Sequence, residues 1–289
     1  MNISVLIPTY NNSHFLPCAV ESVLSQTLRP LEVIVADDGS TDDTAEVVAQ
    51  YGKDVRYLRF PHGGVYTVRR AALQEVRGDW FFNLDADNFV EPDFLERAAA
   101  CIAETASATL AFIYPDRITF GDYERLQPAP EFSMERFKLG NYVDMNSVIR
   151  TDVARSFGFD PAFNSGWGDY DFFLTLAKNG WTGRRMQDTL LHYRVHNASL
   201  TAGTAAMLTK RKLMESIIGK HRDFFSDEEA AAALARFSPE AAIRLKFSQL
   251  LWSRRYGAAC IWALRSLFIR PFAFLSPAAL IRALRGTSR

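Results

Sequence analysis

The feature that most limits what this chain can become is a rhythm in its first ninety residues, where short apolar runs alternate with stretches of helical periodicity. Ile3 to Ile7, Glu32 to Ala36, Val55 to Arg59 and Trp80 to Leu84 have the length and composition of strands. Between the first two, Leu16, Ala19, Val20, Val23 and Leu24 fall at i, i+3, i+4, i+7 and i+8, the stripe of an amphipathic helix. Ser40-Thr41-Asp42-Asp43 caps a second helix running to about Gln50, and Val65 to Val76 makes a third. Strand, helix and strand in succession favour parallel pairing, since parallel strands need a long crossover. The expected fold class is α/β, a Rossmann-like, mixed but mainly parallel sheet flanked by helices.

In such open sheets ligands bind beyond the carboxyl ends of the strands. The loops that matter are therefore Pro8 to Asn12, Asp37 to Asp42 and Asp85 to Asn88. In the last, the run FFNLDADNFV (81–90) reads as a buried strand that ends in two carboxylates one residue apart. Bare carboxylates so close together repel, and burying them is costly unless a cation or donors compensate. Mg²⁺ takes only one or two carboxylates with phosphate oxygens and water, so a sparse Asp-x-Asp suits a metal arriving with a diphosphate. The same spacing also suits solvated turn residues that satisfy nearby amides.

Two other acidic groups, Asp37/Asp38 and Asp160/Asp169/Asp171, read as strand-end sites. In Gly166-Trp167-Gly168-Asp169-Tyr170-Asp171, Asp169 is expected to cap a helix and Asp171 to favour its first turn, and a capped carboxylate in a cleft can still act as a base. His62-Gly63-Gly64 lets the backbone approach a ligand ahead of a helix start, with Arg69 and Arg70 one to two turns in, within reach of an anion. The Lys-Ser/Thr ending of a phosphate-binding P-loop is missing, and no GxGxxG follows the first strand, which argues against a nicotinamide dehydrogenase.

Past Pro92 a helix to about Glu104 leads to a strand at Leu110 to Tyr114. Residues 115–150, broken by Pro115, Gly121, Pro128, Pro130 and Gly140, read as loops shaping one wall of a site. Asp169 to Lys178 forms a short helix stopped by Asn179-Gly180, and the chain turns helical from Ala205.

Taken in order, Val5-Leu6-Ile7-Pro8-Thr9-Tyr10-Asn11-Asn12, Val33-Ile34-Val35-Ala36-Asp37-Asp38-Gly39-Ser40, Leu84-Asp85-Ala86-Asp87 and the Asp160 and Trp167 to Asp171 region resemble family 2 inverting glycosyltransferases of the GT-A fold. The resemblance covers roughly residues 3 to 200. It implies a metal-dependent transfer of a sugar from a nucleotide-sugar donor, UDP-linked as is usual in the family, to a hydroxyl of a saccharide or lipid-linked acceptor. Pro8, Thr9 and Tyr10 would border the base, Asp38 would accept a hydrogen bond from it, and Arg69 would lie near the base or phosphates. Asp85 looks like the ribose-side member of the DxD motif, Ala86 its middle residue and Asp87 the ligand of Mg²⁺ or Mn²⁺. Asp169 looks like the catalytic base, and Tyr193-Arg194-Val195-His196 resembles a late segment closing over the diphosphate, with His196 a second metal ligand. Gly168 stands where the family often has Glu, a departure that leaves room for a non-catalytic nucleotide-sugar-binding protein. A sugar nucleotidyltransferase on a similar sheet is the other alternative, although Pro8 to Asn12 stands where its Gly-rich activating loop would be.

The expected organisation is a catalytic domain at 1–204, with a nucleotide-sugar half (about 1–90) and an acceptor half (about 91–204), followed by a helical extension at 205–289. The zero net charge conceals a division: 18 Lys/Arg against 27 Asp/Glu in residues 1–204, and 15 against 6 in 205–289. From Ala241 onward there are nine Lys/Arg and no acid, with Trp252, Trp262 and Phe268 among them. Such a segment suits a helix resting on an anionic membrane surface, or one packed on the acidic domain. No nucleic-acid recognition motif is present. Cys18, Cys101 and Cys260 form no metal-binding or paired spacing and read as reduced core thiols. With no signal-peptide pattern at the start and no 18-residue apolar run, the expectation is a cytoplasmic protein, peripheral at most on the cytoplasmic face of a membrane.

Overall fold

A computed structural model describes residues 1–122, 124–195, 205–238 and 256–257. Two compact units divide the chain, Met1–Ser199 and Leu200–Arg289.

The first unit opens with strand, helix, strand as the periodicity requires: β1 (Ile3–Thr9), α1 (Leu16–Leu24), β2 (Glu32–Asp37), α2 (Thr44–Ala49), β3 (Arg56–Arg59), α3 (Val65–Leu73) and β4 (Trp80–Asn83). Next come β5 (Phe89–Val90), α4 (Phe94–Thr105), β6 (Leu110–Gly121), β7 (Arg125–Gln127), α5 (Met134–Lys138), β8 (Val148–Arg150), α6 (Thr151–Phe157), α7 (Gly168–Lys178) and β9 (Thr182–Val195). The sheet order is β3-β2-β1-β4-β8-β6-β9-β5, with β7 on β6. The β3-β2-β1-β4 half is parallel, β8 is antiparallel to both its neighbours, β6 and β9 run parallel, and β5 is antiparallel to β9. The expected mixed sheet is therefore present.

The core follows from the runs that announced it. Val5, Ile7, Val33, Val35 and Phe82 meet Leu16, Ala19, Val20 and Val23 of α1 and Phe94, Leu95 and Ala98 of α4. At about 25 cal/mol per Å² of apolar area removed from water, a buried Leu or Phe contributes about 2 kcal/mol. The Phe82 and Phe94 rings lie 4.4 Å apart, holding α4 on the strand that ends at the acidic loop.

Several expectations are corrected. Residues 115–150 are loop over only half their length: β6 continues through Pro115 to Gly121, and β7, α5 and β8 follow. Proline survives there because the β6–β9 register shifts at Pro115/Asp116 and again at Asp116/Arg117, an irregularity that spares its missing N–H. Asp169 is not the cap of α7. Trp167 is, in left-handed conformation (φ 63°) and with no capping side-chain bond. Nor do Asp160, Asp169 and Asp171 sit at a strand end; Asp160 caps a short 3₁₀ turn at Pro161–Phe163 and the other two lie in the first turn of α7. Cys18 is exposed and Cys101 half-buried against the edge of the core, both as free thiols, and Cys260 lies outside the described residues.

The second unit contains α8 (Ala205–Lys220) and α9 (Asp227–Ala235), the latter begun by a reciprocal Ser226/Glu229 capping box. Met214, Ile217, Phe225 and Ala233 are buried in it. Among the described residues no helix is long and apolar enough to cross a membrane.

Candidate active site

The carboxyl ends of β1, β2 and β4 converge, and the acids there divide by what they touch. Asp37 is a structural residue: buried, it accepts the Ser40 N–H at 2.8 Å and the Tyr57 hydroxyl at 2.5 Å, closing the loop after β2. Asp38 is also buried, and its two oxygens accept the Gly63 and Gly64 N–H groups at 2.8 and 2.9 Å, with His62 Nδ1 3.0 Å away. Gly64 has φ 92°, a backbone that favours glycine, and a side chain there would strike Asn164. The His62 ring stacks on Tyr10, centroids 4.2 Å apart, leaving Tyr10 41% exposed as an aromatic face. Beside them Pro8 and Thr9 are buried, and Thr9 Oγ1 has no hydrogen-bond partner among the described residues.

The DxD loop is built around a cation that the chain itself provides. Arg69, buried in α3, donates through Nε to Asn83 Oδ1 at 3.2 Å and through a terminal nitrogen to Asp85 Oδ1 at 2.5 Å. Asn146 completes the clamp: its Oδ1 accepts the Asp85 N–H at 2.8 Å and its Nδ2 donates to Asp85 Oδ2 at 3.1 Å and to Asp144 Oδ1 at 2.6 Å. The positive partner expected for the pair of acids is thus, for Asp85, an arginine. Ala86 is buried, turning Asp87 toward partial exposure, and the Asp87 carbonyl accepts Arg194 Nε at 3.0 Å. The Arg194 guanidinium lies over both the Phe15 and Phe120 rings, at 4.5 and 4.4 Å. His196 lies outside the described residues.

Asp169 enters from α7. One carboxylate oxygen accepts the Tyr170 N–H at 2.8 Å and the other the Asn141 side-chain amide at 2.8 Å. Burial, with the nearby Asp144 and Asp85 charges, pushes its carboxyl up to about 6, against the Tyr170 N–H and Arg69, which lower it. Asp144 in turn receives Arg117 at 2.5 Å, and Arg117 lies over the Tyr193 ring at 4.7 Å. Asp171 is buried.

Asn141, Asp144, Asn146 and Tyr66 belong to the site and were not foreseen. Isolated amides between strands look like loop residues, and Tyr66 looks like core. The Asp144-x-Asn146 spacing, an acid and an amide just ahead of strand β8, is the signal that was available.

Among solved structures, the chain is similar to S. aureus TarS 1-349 in complex with UDP-GlcNAc, with TM-score 0.62 and 18% identity over 86% of this chain and 85% of that one. It is also similar to the mannosyltransferase PcManGT of Pyrobaculum calidifontis in complex with GDP-Man and Mn²⁺, with TM-score 0.61 and 17% identity over 98% and 86% of the two chains. These likenesses concern the fold. In sequence it is 33% identical over 189 residues to a chondroitin synthase of Pasteurella multocida, covering 62% of this chain and 19% of that protein. It is 31% identical over 260 residues to an uncharacterized glycosyltransferase of Rickettsia typhi, covering 78% of each. The chain spans about a fifth of the Pasteurella synthase it matches. Residues 4–162, from the first strand past the clamp on Asp85, match the model for glycosyl transferase family 2. The chain belongs to that family.

Proposed function

We propose that the protein is a metal-dependent inverting glycosyltransferase that moves a sugar from a UDP-linked donor to a hydroxyl of a saccharide or lipid-linked acceptor. The observation that carries this reading is one electrostatic cluster. Asp169, its carboxyl raised to about 6, feels both Arg69 and Asp85 of the DxD loop. A base near neutrality beside a diphosphate-facing acidic loop is what a single in-line displacement needs. Asp169 takes the acceptor proton as that oxygen bonds to the anomeric carbon, while the bond to the departing nucleoside diphosphate breaks on the opposite face. One displacement inverts the centre.

The residues present fit a divalent metal that brings most of its own ligands. Asp85 is committed to Arg69 and Asn146, and no group of three His, Cys, Asp or Glu side chains able to hold a metal occurs among the described residues. Asp87 would supply a carboxylate to Mg²⁺ or Mn²⁺ alongside phosphate oxygens and water, and His196, outside the described residues, would be a second ligand. When bound, such an ion neutralises charge on the leaving diphosphate, a contribution of several kcal/mol. Asp85 and Asn146 fix the loop toward the ribose, Tyr10 and the orphaned Thr9 hydroxyl border the base, and Asp38 holds the glycine turn below it. A buried hydroxyl without a partner points to a polar ligand atom at that place.

UDP is supported by the TarS complex with UDP-GlcNAc, and the GDP-Man complex makes a guanosine donor the comparison to run. Incubating the protein with a panel of UDP- and GDP-sugars and Mn²⁺, with and without chelator, tests the reading. The expected result is nucleotide release from a UDP-sugar that chelation abolishes. Chelator-indifferent release would remove the metal, and binding without release of any nucleotide would return the protein to a non-catalytic binder. Asp87→Ala should lose the Mn²⁺-dependent part of the thermal shift produced by UDP.

A further inference from the structure

The starts of α3 and α7 are tied by two hydrogen bonds that stand in for missing side-chain caps. The Tyr66 N–H in the first turn of α3 donates to Asn164 Oδ1 at 2.8 Å, and Asn164 lies in the segment leading into α7. In return the Asp169 N–H, in the first turn of α7, donates to the Tyr66 hydroxyl at 3.0 Å. That N–H is one of the orphan donors every helix start leaves, and the capping position, Trp167, supplies no side chain for it. The Tyr66 ring also occupies the space in front of Gly168: a Cβ added at 168 would come within 2.5–2.6 Å of three ring carbons. The ring cannot easily withdraw, since Tyr66 is 6% exposed and lies under the Arg69 guanidinium at 5.1 Å.

We infer that Tyr66 is a positioning residue for Asp169, its hydroxyl fixing the helix turn that carries the carboxylate and its ring taking the place of a side chain at 168 and keeping water from the acid. This rests on the reading of Asp169 as the base. It accounts for Gly168: the missing side chain is the other half of a fitted pair and not a sign of lost activity. The charged and titratable groups facing Asp169 are Asp144, Asp85, Arg69 and Tyr66 itself, so removing the ring changes solvent access while leaving the three other charges in place.

The test follows the Asp169 carboxyl by ¹³C-aspartate NMR titration, with Asp169→Asn identifying its signal. In the wild type the signal should titrate near 6, in Tyr66→Phe it should stay there, and in Tyr66→Ala it should fall toward the ordinary value of about 4. Thermal unfolding supplies the second readout: Gly168→Ala should lower Tm by about 2–8 °C in the wild type and by far less in Tyr66→Ala, where the space is open. A titration unmoved by Tyr66→Ala, or an equal cost of Gly168→Ala in both backgrounds, would overturn the inference while leaving the base reading intact. Full turnover of the UDP-sugar panel by Asp169→Asn would instead remove the base, and the positioning role with it.

Discussion

At Asp169, burial holds the carboxyl near 6, so between about pH 4 and pH 6 the folded protein retains a proton that the unfolded chain has already released. A raised carboxyl value means that folding favours the neutral form: its contribution is present at low pH, is lost as pH rises to about 6, and stays lost above that. Replacement by Asn removes the dependence. The stability difference between Asp169→Asn and the wild type should therefore shift in the variant's favour by about 2 kcal/mol between pH 4 and pH 7, allowing for solvent screening of a partly exposed group. Urea unfolding at the two pH values measures it, and a flat difference would mean the carboxyl is not raised. Turnover should run the other way, climbing about tenfold per pH unit up to about 6, where the base becomes ionised. At this scale the sequence was informative about Asp85, Asp87 and Asp169 because spacing displays them. It hid what compensates them, since Arg69, Asn146 and Asn141 reach their partners across 16, 61 and 28 residues. The pairing of Tyr66 with Gly168 was illegible for the same reason, and only the glycine showed as an oddity.

Among the elements, the β1–β4 half was readable because each strand is a short apolar run closed by a turn, and its parallel order follows from the crossover helices. The half built from β6 to β9 was harder. Pro115 and the glycines broke the pattern of β6, and the register shifts beside Pro115 that make the proline tolerable have no signature along the chain. The join between α3 and β4 carries a prediction of its own. Arg69→Met removes the cationic partner of Asp85 and leaves its carboxylate to the Asn146 and Asn83 amides, which should cost about 3 kcal/mol of stability, reduced by the solvent access of Asp85. Denaturant titration checks this, and Asp85→Asn added to Arg69→Met should recover part of the loss. A loss that is unchanged in the double variant would mean that packing, not charge, sets the cost.

Over the whole molecule, the charge segregation read from the sequence is a division between the site-bearing unit and the remainder. The basic stretch 241–289 lies outside the described residues apart from Tyr256 and Gly257. We propose that it contacts an anionic membrane surface, which would bring a lipid-linked acceptor to Asp169, and that 1–204 and 205–289 act as catalytic domain and extension. Sedimentation of the full chain with vesicles should then need anionic lipid and weaken at high salt, because exposed charge is screened within about 10 Å at 0.1 M salt. Binding indifferent to both would assign the arginines to the chain's own acids. Whether Asp169 is the base is decided by comparing wild type and Asp169→Asn on one preparation, measuring UDP binding with Mn²⁺ by calorimetry and sugar transfer by nucleotide release. Asp169→Asn should lower kcat by about 10² to 10⁴ with the UDP affinity essentially unchanged; equal turnover, or loss of both together, would rule Asp169 out as the base.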